Sequence, residues 1–215
     1  MNLSRKGAET AVFFNEKKRA ENYMKVVCIG NSIVNGYPLK RSQCFASLWR
    51  QASGFEVISK GENGDVTSNV YARFDRDVIS HKPNAVVILT GTNDFIYQIG
   101  TPEEVMTYLD KMAVLSAEHS IKAVLMTPLL TDPHLAKKYW IADVDYLAVN
   151  EKLKELRALM LDYGNNNGEK IIDAQDQYRR FYTEDNVTEY LLDGLHPTAL
   201  GHETLARFLQ EQFLI

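Results

Sequence analysis

Apolar and polar positions divide this chain into short continuous runs and longer periodic ones. Five runs are nearly all apolar and rich in Val and Ile: MKVVCIG (24–30), FEVIS (55–59), NAVVILT (84–90), KAVLMT (122–127) and KIIDA (170–174). Such runs mark strands covered on both faces, as in parallel sheets. Between them the period becomes helical. Cys44, Phe45, Leu48 and Trp49 share a face within 42–53, and Val66, Val70, Phe74 and Val78 repeat through 66–79. A helix over 101–119 opens on Thr101 as N-cap, with Pro102 and two glutamates in its first turn. A long amphipathic helix over 145–164 is expected to end at Gly164, with GNNNGE (164–169) as the turn after it. A last helix closes the chain from Thr198. Residues 129–144 form the longest irregular stretch after a strand, and such loops tend to shape binding sites.

Strand and helix alternate, which calls for βαβ units with right-handed crossovers. The expected product is an α/β domain over 24–215, a three-layer α/β/α sandwich on a parallel five-stranded sheet. Residues 1–23 then form an N-terminal extension before the first strand.

In an open sheet of this kind, ligands sit beyond the carboxyl ends of the strands. Four loops there are polar. GNSIVNG (30–36) places Ser32 where strand turns into helix, but lacks the spacing of a nucleophile elbow or of a P-loop. SKGENGDVT (59–67) carries Gly61 and Gly64, and the N–H of Gly64 is a candidate donor. GTNDF (91–95) offers the side-chain amide of Asn93. DGLHP (193–197) sets Asp193 three residues before His196, a spacing that lets a carboxylate hold an imidazole Nδ1–H and free Nε2 as a base. Taken singly, the first three read equally as ordinary structure: Ser32 or Asp65 as helix caps, Asn93 as a turn residue. Together they supply a nucleophile, a base, an orienting carboxylate and three oxyanion donors.

Composition narrows the classes. The hydrophobic fraction is 45% and the charged fraction 24%, ordinary for a globular chain. A net charge of −4 offers no general basic field, so a nucleic-acid partner is not expected. No apolar run reaches the roughly 20 residues of a transmembrane helix. The N-terminus does not resemble a secretory signal, so the expected location is cytoplasmic. The two cysteines, Cys28 and Cys44, form no disulfide framework or zinc motif, and neither metal nor cofactor is expected. Nothing in the sequence fixes an oligomeric state.

The blocks GNS (30–32), GENGD (61–65), GTND (91–94) and DGLH (193–196) resemble, in order and spacing, the SGNH hydrolases, also called the GDSL esterase/lipase family. The resemblance spans residues 24 to about 210. It implies a flavodoxin-like sheet of strand order 2-1-3-4-5, with residues 175–192 carrying the Asp–His loop back from the far edge. It further implies Ser32 as nucleophile, His196 as general base, Asp193 as its orienting acid, and an oxyanion hole from Ser32 N–H, Gly64 N–H and the Asn93 amide. The implied activity is hydrolysis of a small-molecule carboxylic ester, short-chain or acetyl, without cofactor. One position departs: the family's Asp before the serine is Asn31 here. That departure keeps open a catalytically silent ligand-binding protein of the same fold. Tyr37, Phe95 and Tyr97 follow catalytic blocks and are candidates to line the acyl pocket. His134, Tyr139 and Trp140 are candidates for a lid or a leaving-group contact. Core packing accounts for all six equally well.

Overall fold

The computed structural model describes residues 24–213. The expected extension, residues 1–23, lies outside them. Five strands form one sheet: β1 (Lys25–Gly30), β2 (Glu56–Gly61), β3 (Ala85–Leu89), β4 (Lys122–Met126) and β5 (Lys170–Ile172). Every pairing is parallel and the order is β2-β1-β3-β4-β5. Register places Gly30 beside both Gly61 and Leu89, so three strands stop at one level. The loops that follow them therefore start side by side.

Alternation along each strand splits the core in two. Val26, Cys28, Val87, Leu89, Val124 and Met126 face one side, and Val27, Ile29, Val86, Ile88, Ala123 and Leu125 face the other. The first side is covered by α1 (Ser32–Asn35), α2 (Phe45–Ser53) and, from the end of the chain, α11 (Ala199–Gln212). The second is covered by α3 (Thr67–Ala72), α4 (Phe74–Asp77), α5 (Thr92–Ile96), α6 (Pro102–Glu118) and α8 (Tyr146–Asn167). The start of α6 is the expected one. Thr101 Oγ1 accepts from Glu104 N–H while Glu104 accepts from Thr101 N–H, a capping box. No helix among the described residues is long and apolar enough to cross a membrane.

Three expectations are corrected. The periodic stretch 66–79 is not one helix: it breaks at Arg73, whose side chain turns inward to the strand ends. Gly164 does not end the long helix, which runs on to Asn167 and is capped by Gly168 in the left-handed region. Gly164 is instead a contact point: a Cβ there would lie 2.4 Å from Ile171 Cγ1, so the glycine lets α8 approach β5. Residues 129–144 are not irregular throughout, because Pro133–Tyr139 form α7, with Asp132 as its N-cap and Pro133 in its first turn. The return from the far edge carries two short helices, α9 (Ala174–Arg179) and α10 (Val187–Tyr190).

Candidate active site

The loop after α10 is closed by an antiparallel bridge between Leu191 and Pro197, with Leu192 N–H donating to His196 O at 2.8 Å. Inside this loop Asp193 Oδ1 accepts from the N–H groups of Leu195 (3.0 Å) and His196 (2.8 Å). The turn needs Gly194 at φ +81°, a region that penalises a Cβ. Asp193 Oδ2 lies 2.7 Å from His196 Nδ1, and His196 Nε2 lies 2.9 Å from Ser32 Oγ. Residues 164 apart in sequence thus form one line: carboxylate, imidazole, hydroxyl. The imidazole is 1% exposed and Ser32 is 7% exposed. In such a line Nδ1–H donates to the carboxylate, which leaves Nε2 to accept the hydroxyl proton.

Ser32 is the first residue of α1. The cap is Asn31, whose Oδ1 accepts from Ile33 N–H at 3.3 Å. Opposite it, Asn93 Nδ2 donates to Asp65 O at 2.9 Å, which fastens the glycine loop of Gly64 to α5. Asp94 adds a second tie: its carboxylate accepts from Thr67 N–H and, at 2.9 Å, from Thr67 Oγ1. Asp65 does not cap a helix. Its carboxylate accepts from Arg73 Nε at 2.7 Å.

These parts share one cleft of about 270 Å³, lined by Ser32, Tyr37, Asn63, Gly64, Asn93, Tyr97, Trp140 and His196. Tyr37 and Trp140 both meet the His196 ring edge-on, with centroids at 5.0 and 4.8 Å. Of the expected lining residues, Tyr37, Tyr97 and Trp140 are here. Phe95 is not: its ring is buried in the core beside α8, with Lys152 Nζ 5.9 Å from its centroid. His134 is also elsewhere, in a separate groove between α7, α8 and the α9–α10 connection. Tyr139 does not line the cleft; it is exposed, with Lys138 Nζ over its ring. Asn63 and Asp94 lie inside the polar blocks without a pattern of their own that marks a role, and Arg73 lies outside them. For Arg73 the only signal was its spacing to Asp77, which a solvated helix face shows as well.

Burial alone pushes the Asp193 carboxyl up, but hydrogen bonds from the His196 side chain and backbone outweigh it and hold it below the usual range. Burial raises Asp94 despite its bonds from Thr67. A second histidine, His202, lies buried on α11. Burial, reinforced by His196, pushes it down to about 4. Among the described residues, no group of three or more His, Cys, Asp or Glu side chains is placed to hold a metal ion.

Residues 28–204 match the model of the GDSL-like lipase/acylhydrolase family. The chain is 29% identical over 168 residues to an acetylxylan esterase of Geobacillus stearothermophilus, covering 74% of this chain and 72% of that one. It is 26% identical to an arylesterase of Vibrio mimicus, covering 94% of each. Its fold matches the crystal structure of a lipase/acylhydrolase from Enterococcus faecalis with a TM-score of 0.72, at 24% identity, over 88% of this chain and 95% of that one.

Proposed function

The chain belongs to the GDSL-like lipase/acylhydrolase family and is a carboxylic ester hydrolase of that type, and from this premise we propose two-step acyl transfer through an acyl-enzyme on Ser32. The observation that carries the reading is the unbroken hydrogen-bonded line from Asp193 through His196 to Ser32. His196 Nε2 takes the hydroxyl proton as Ser32 Oγ attacks the ester carbonyl. The negative oxygen that forms is held by Ser32 N–H, Gly64 N–H and Asn93 Nδ2. The imidazolium, steadied by Asp193, returns the proton to the leaving alcohol, and the acyl group remains on Ser32. Water then attacks the acyl carbon as His196 takes its proton; the bond from that carbon to Ser32 Oγ breaks, His196 returns the proton to Oγ, and the acid is released.

The substrate of this reading is a small ester with an acetyl or other short acyl group. The cleft is small, and Tyr37 and Trp140 crowd the imidazole. The name of the acetylxylan esterase supports an acetyl group as the acyl part. The test is hydrolysis of p-nitrophenyl acetate, butyrate and octanoate by wild type and Ser32→Ala. Activity on the short esters that vanishes in Ser32→Ala is expected. A folded wild type with no turnover and no labelling by a fluorophosphonate probe would overturn the reading in favour of a silent binding protein.

A further inference from the structure

We propose that Arg73 is a positioning residue that sets the spacing of the oxyanion donors; this rests on the reading that Ser32, Gly64 and Asn93 hold the oxyanion. Arg73 side chain is 8% exposed, and four hydrogen bonds hold its guanidinium. Nη2 donates to Gly30 O at 2.7 Å, at the end of β1, two residues before Ser32. Nη1 donates to Lys60 O at 2.9 Å, near the end of β2, and to Asp77 Oδ2 at 3.0 Å. Nε donates to Asp65 Oδ2 at 2.7 Å, one residue after Gly64. Asp65 in turn gives its carbonyl to Asn93 Nδ2. One planar group thus touches the Ser32 strand and the Gly64 loop, and reaches Asn93 through a single residue.

The chemistry of arginine suits this task. Its donors are spread over a rigid plane, so it fixes several acceptors at set distances. Lysine offers its donors from one point and cannot span the two strand ends and Asp65 together. The charge is also matched. Asp65 and Asp77 flank Arg73, and Asp77 is shared with Arg76 (2.7 Å) and Lys60 (3.6 Å). The cluster therefore holds the loops without projecting a large charge into the cleft. Nothing in it touches a reacting atom, so its effect on rate runs through geometry. A misplacement of about 1 Å in such a site lowers rate by ~10²-fold.

The experiment uses p-nitrophenyl acetate with the full chain, well below the melting temperature of each variant. Arg73→Lys is expected to lower kcat by ~10²-fold with little change in KM. In an Asn93→Ala background the same change should cost far less, because both act on one donor set. Added guanidinium ion should restore part of the kcat of Arg73→Ala. A lowered melting temperature with kcat near wild type, or losses that simply multiply with Asn93→Ala, would make Arg73 a fold-stabilising residue only and overturn the proposal. If the Arg73 variants do not fold, Asp65→Asn keeps the shape and weakens the pair. It should then lower kcat, and an unchanged kcat overturns the proposal equally. Wild-type turnover that fails, or that survives Ser32→Ala, sinks the underlying reading instead. Turnover that depends on Ser32 but ignores Arg73 sinks this proposal alone.

Discussion

His202 should make the folded chain acid-sensitive well above the carboxylate range. Its ring is fully buried and stacked on Phe45, with centroids 6.0 Å apart. Its Nδ1 accepts from Phe45 N–H at 3.3 Å, so the neutral ring carries its proton on Nε2, which is buried and has no hydrogen-bond partner among the described residues. Protonation would place a second N–H where Phe45 N–H already points. The folded value is about 4, against about 6.5 for an unfolded histidine. Between these values the unfolded chain binds more protons, so stability is full above pH ~6.5 and drains away as pH falls toward ~4. The ceiling is about 3 kcal/mol, of which about 2 kcal/mol is lost between pH 7 and pH 5. The perturbation is His202→Asn, whose Oδ1 can still accept from Phe45 N–H but does not titrate. Urea unfolding of both proteins at pH 7 and pH 5, followed by circular dichroism, reads the difference in slope rather than absolute stability. The carboxylates that the fold depresses do not interfere. Asp77, which burial pushes up but Arg76 and Arg73 pull down to about 2, and Asp193 lose their contributions only below the ordinary carboxylate value. Equal losses in the two proteins would refute the argument.

Three further outcomes follow from the site. Asn93→Ala should lower kcat on p-nitrophenyl acetate by ~10²- to 10³-fold, the usual effect of one lost oxyanion donor; an unchanged kcat would remove Asn93 from the proposed hole. Gly194→Ala should destabilise by at least ~1–3 kcal/mol from its positive φ alone. Its Cβ would also meet Ala136 N at 2.5 Å and Asp132 O at 2.6 Å, so a melting temperature equal to wild type would contradict the loop geometry. Trp140→Ala should widen the cleft and raise the octanoate-to-acetate ratio of kcat/KM by ~10-fold, and a constant ratio would show that Trp140 does not limit the acyl chain.

The strands were legible because a strand buried on both faces leaves a continuous apolar run, and all five were found. Their order was not in those runs; it came with the resemblance carried by the four polar blocks. Helix limits were less legible. Periodicity cannot separate one helix from two short ones bent about a buried Arg73, and a glycine reads as a stop whether it caps a helix, like Gly168, or packs inside one, like Gly164. In the site, Ser32, Asp193 and His196 lie in one hydrogen-bonded line, and the spacing of Asp193 and His196 was the part of it legible in the sequence. Phe95 misled for a physical reason. All five residues of α5 are buried, polar and apolar alike, so the pattern gives no inward face from which to orient its ring. His134 sits on α7, inside a segment read as irregular, so no helix phase was available to aim it. Arg73 and Asp94 escaped notice because their partners are mainly backbone groups and side chains of other loops, which only the fold brings near.

Asn31 shows what the departure from the Gly-Asp-Ser block leaves intact. Its visible task is to accept the Ile33 N–H at the start of α1, and an amide oxygen does this as well as a carboxylate. The residue is 2% exposed, and burying a charged carboxylate there costs more, and needs more compensation, than burying a neutral amide. A carboxylate at position 31 would also have the same sign as the oxyanion proposed to form beside Ser32. Holding the loop thus falls to the cap and, one residue earlier, to the bond from Arg73 to Gly30 O. The neutral residue keeps the geometry that the proposed nucleophile needs, so a change from Asp to Asn is no argument by itself for a silent site.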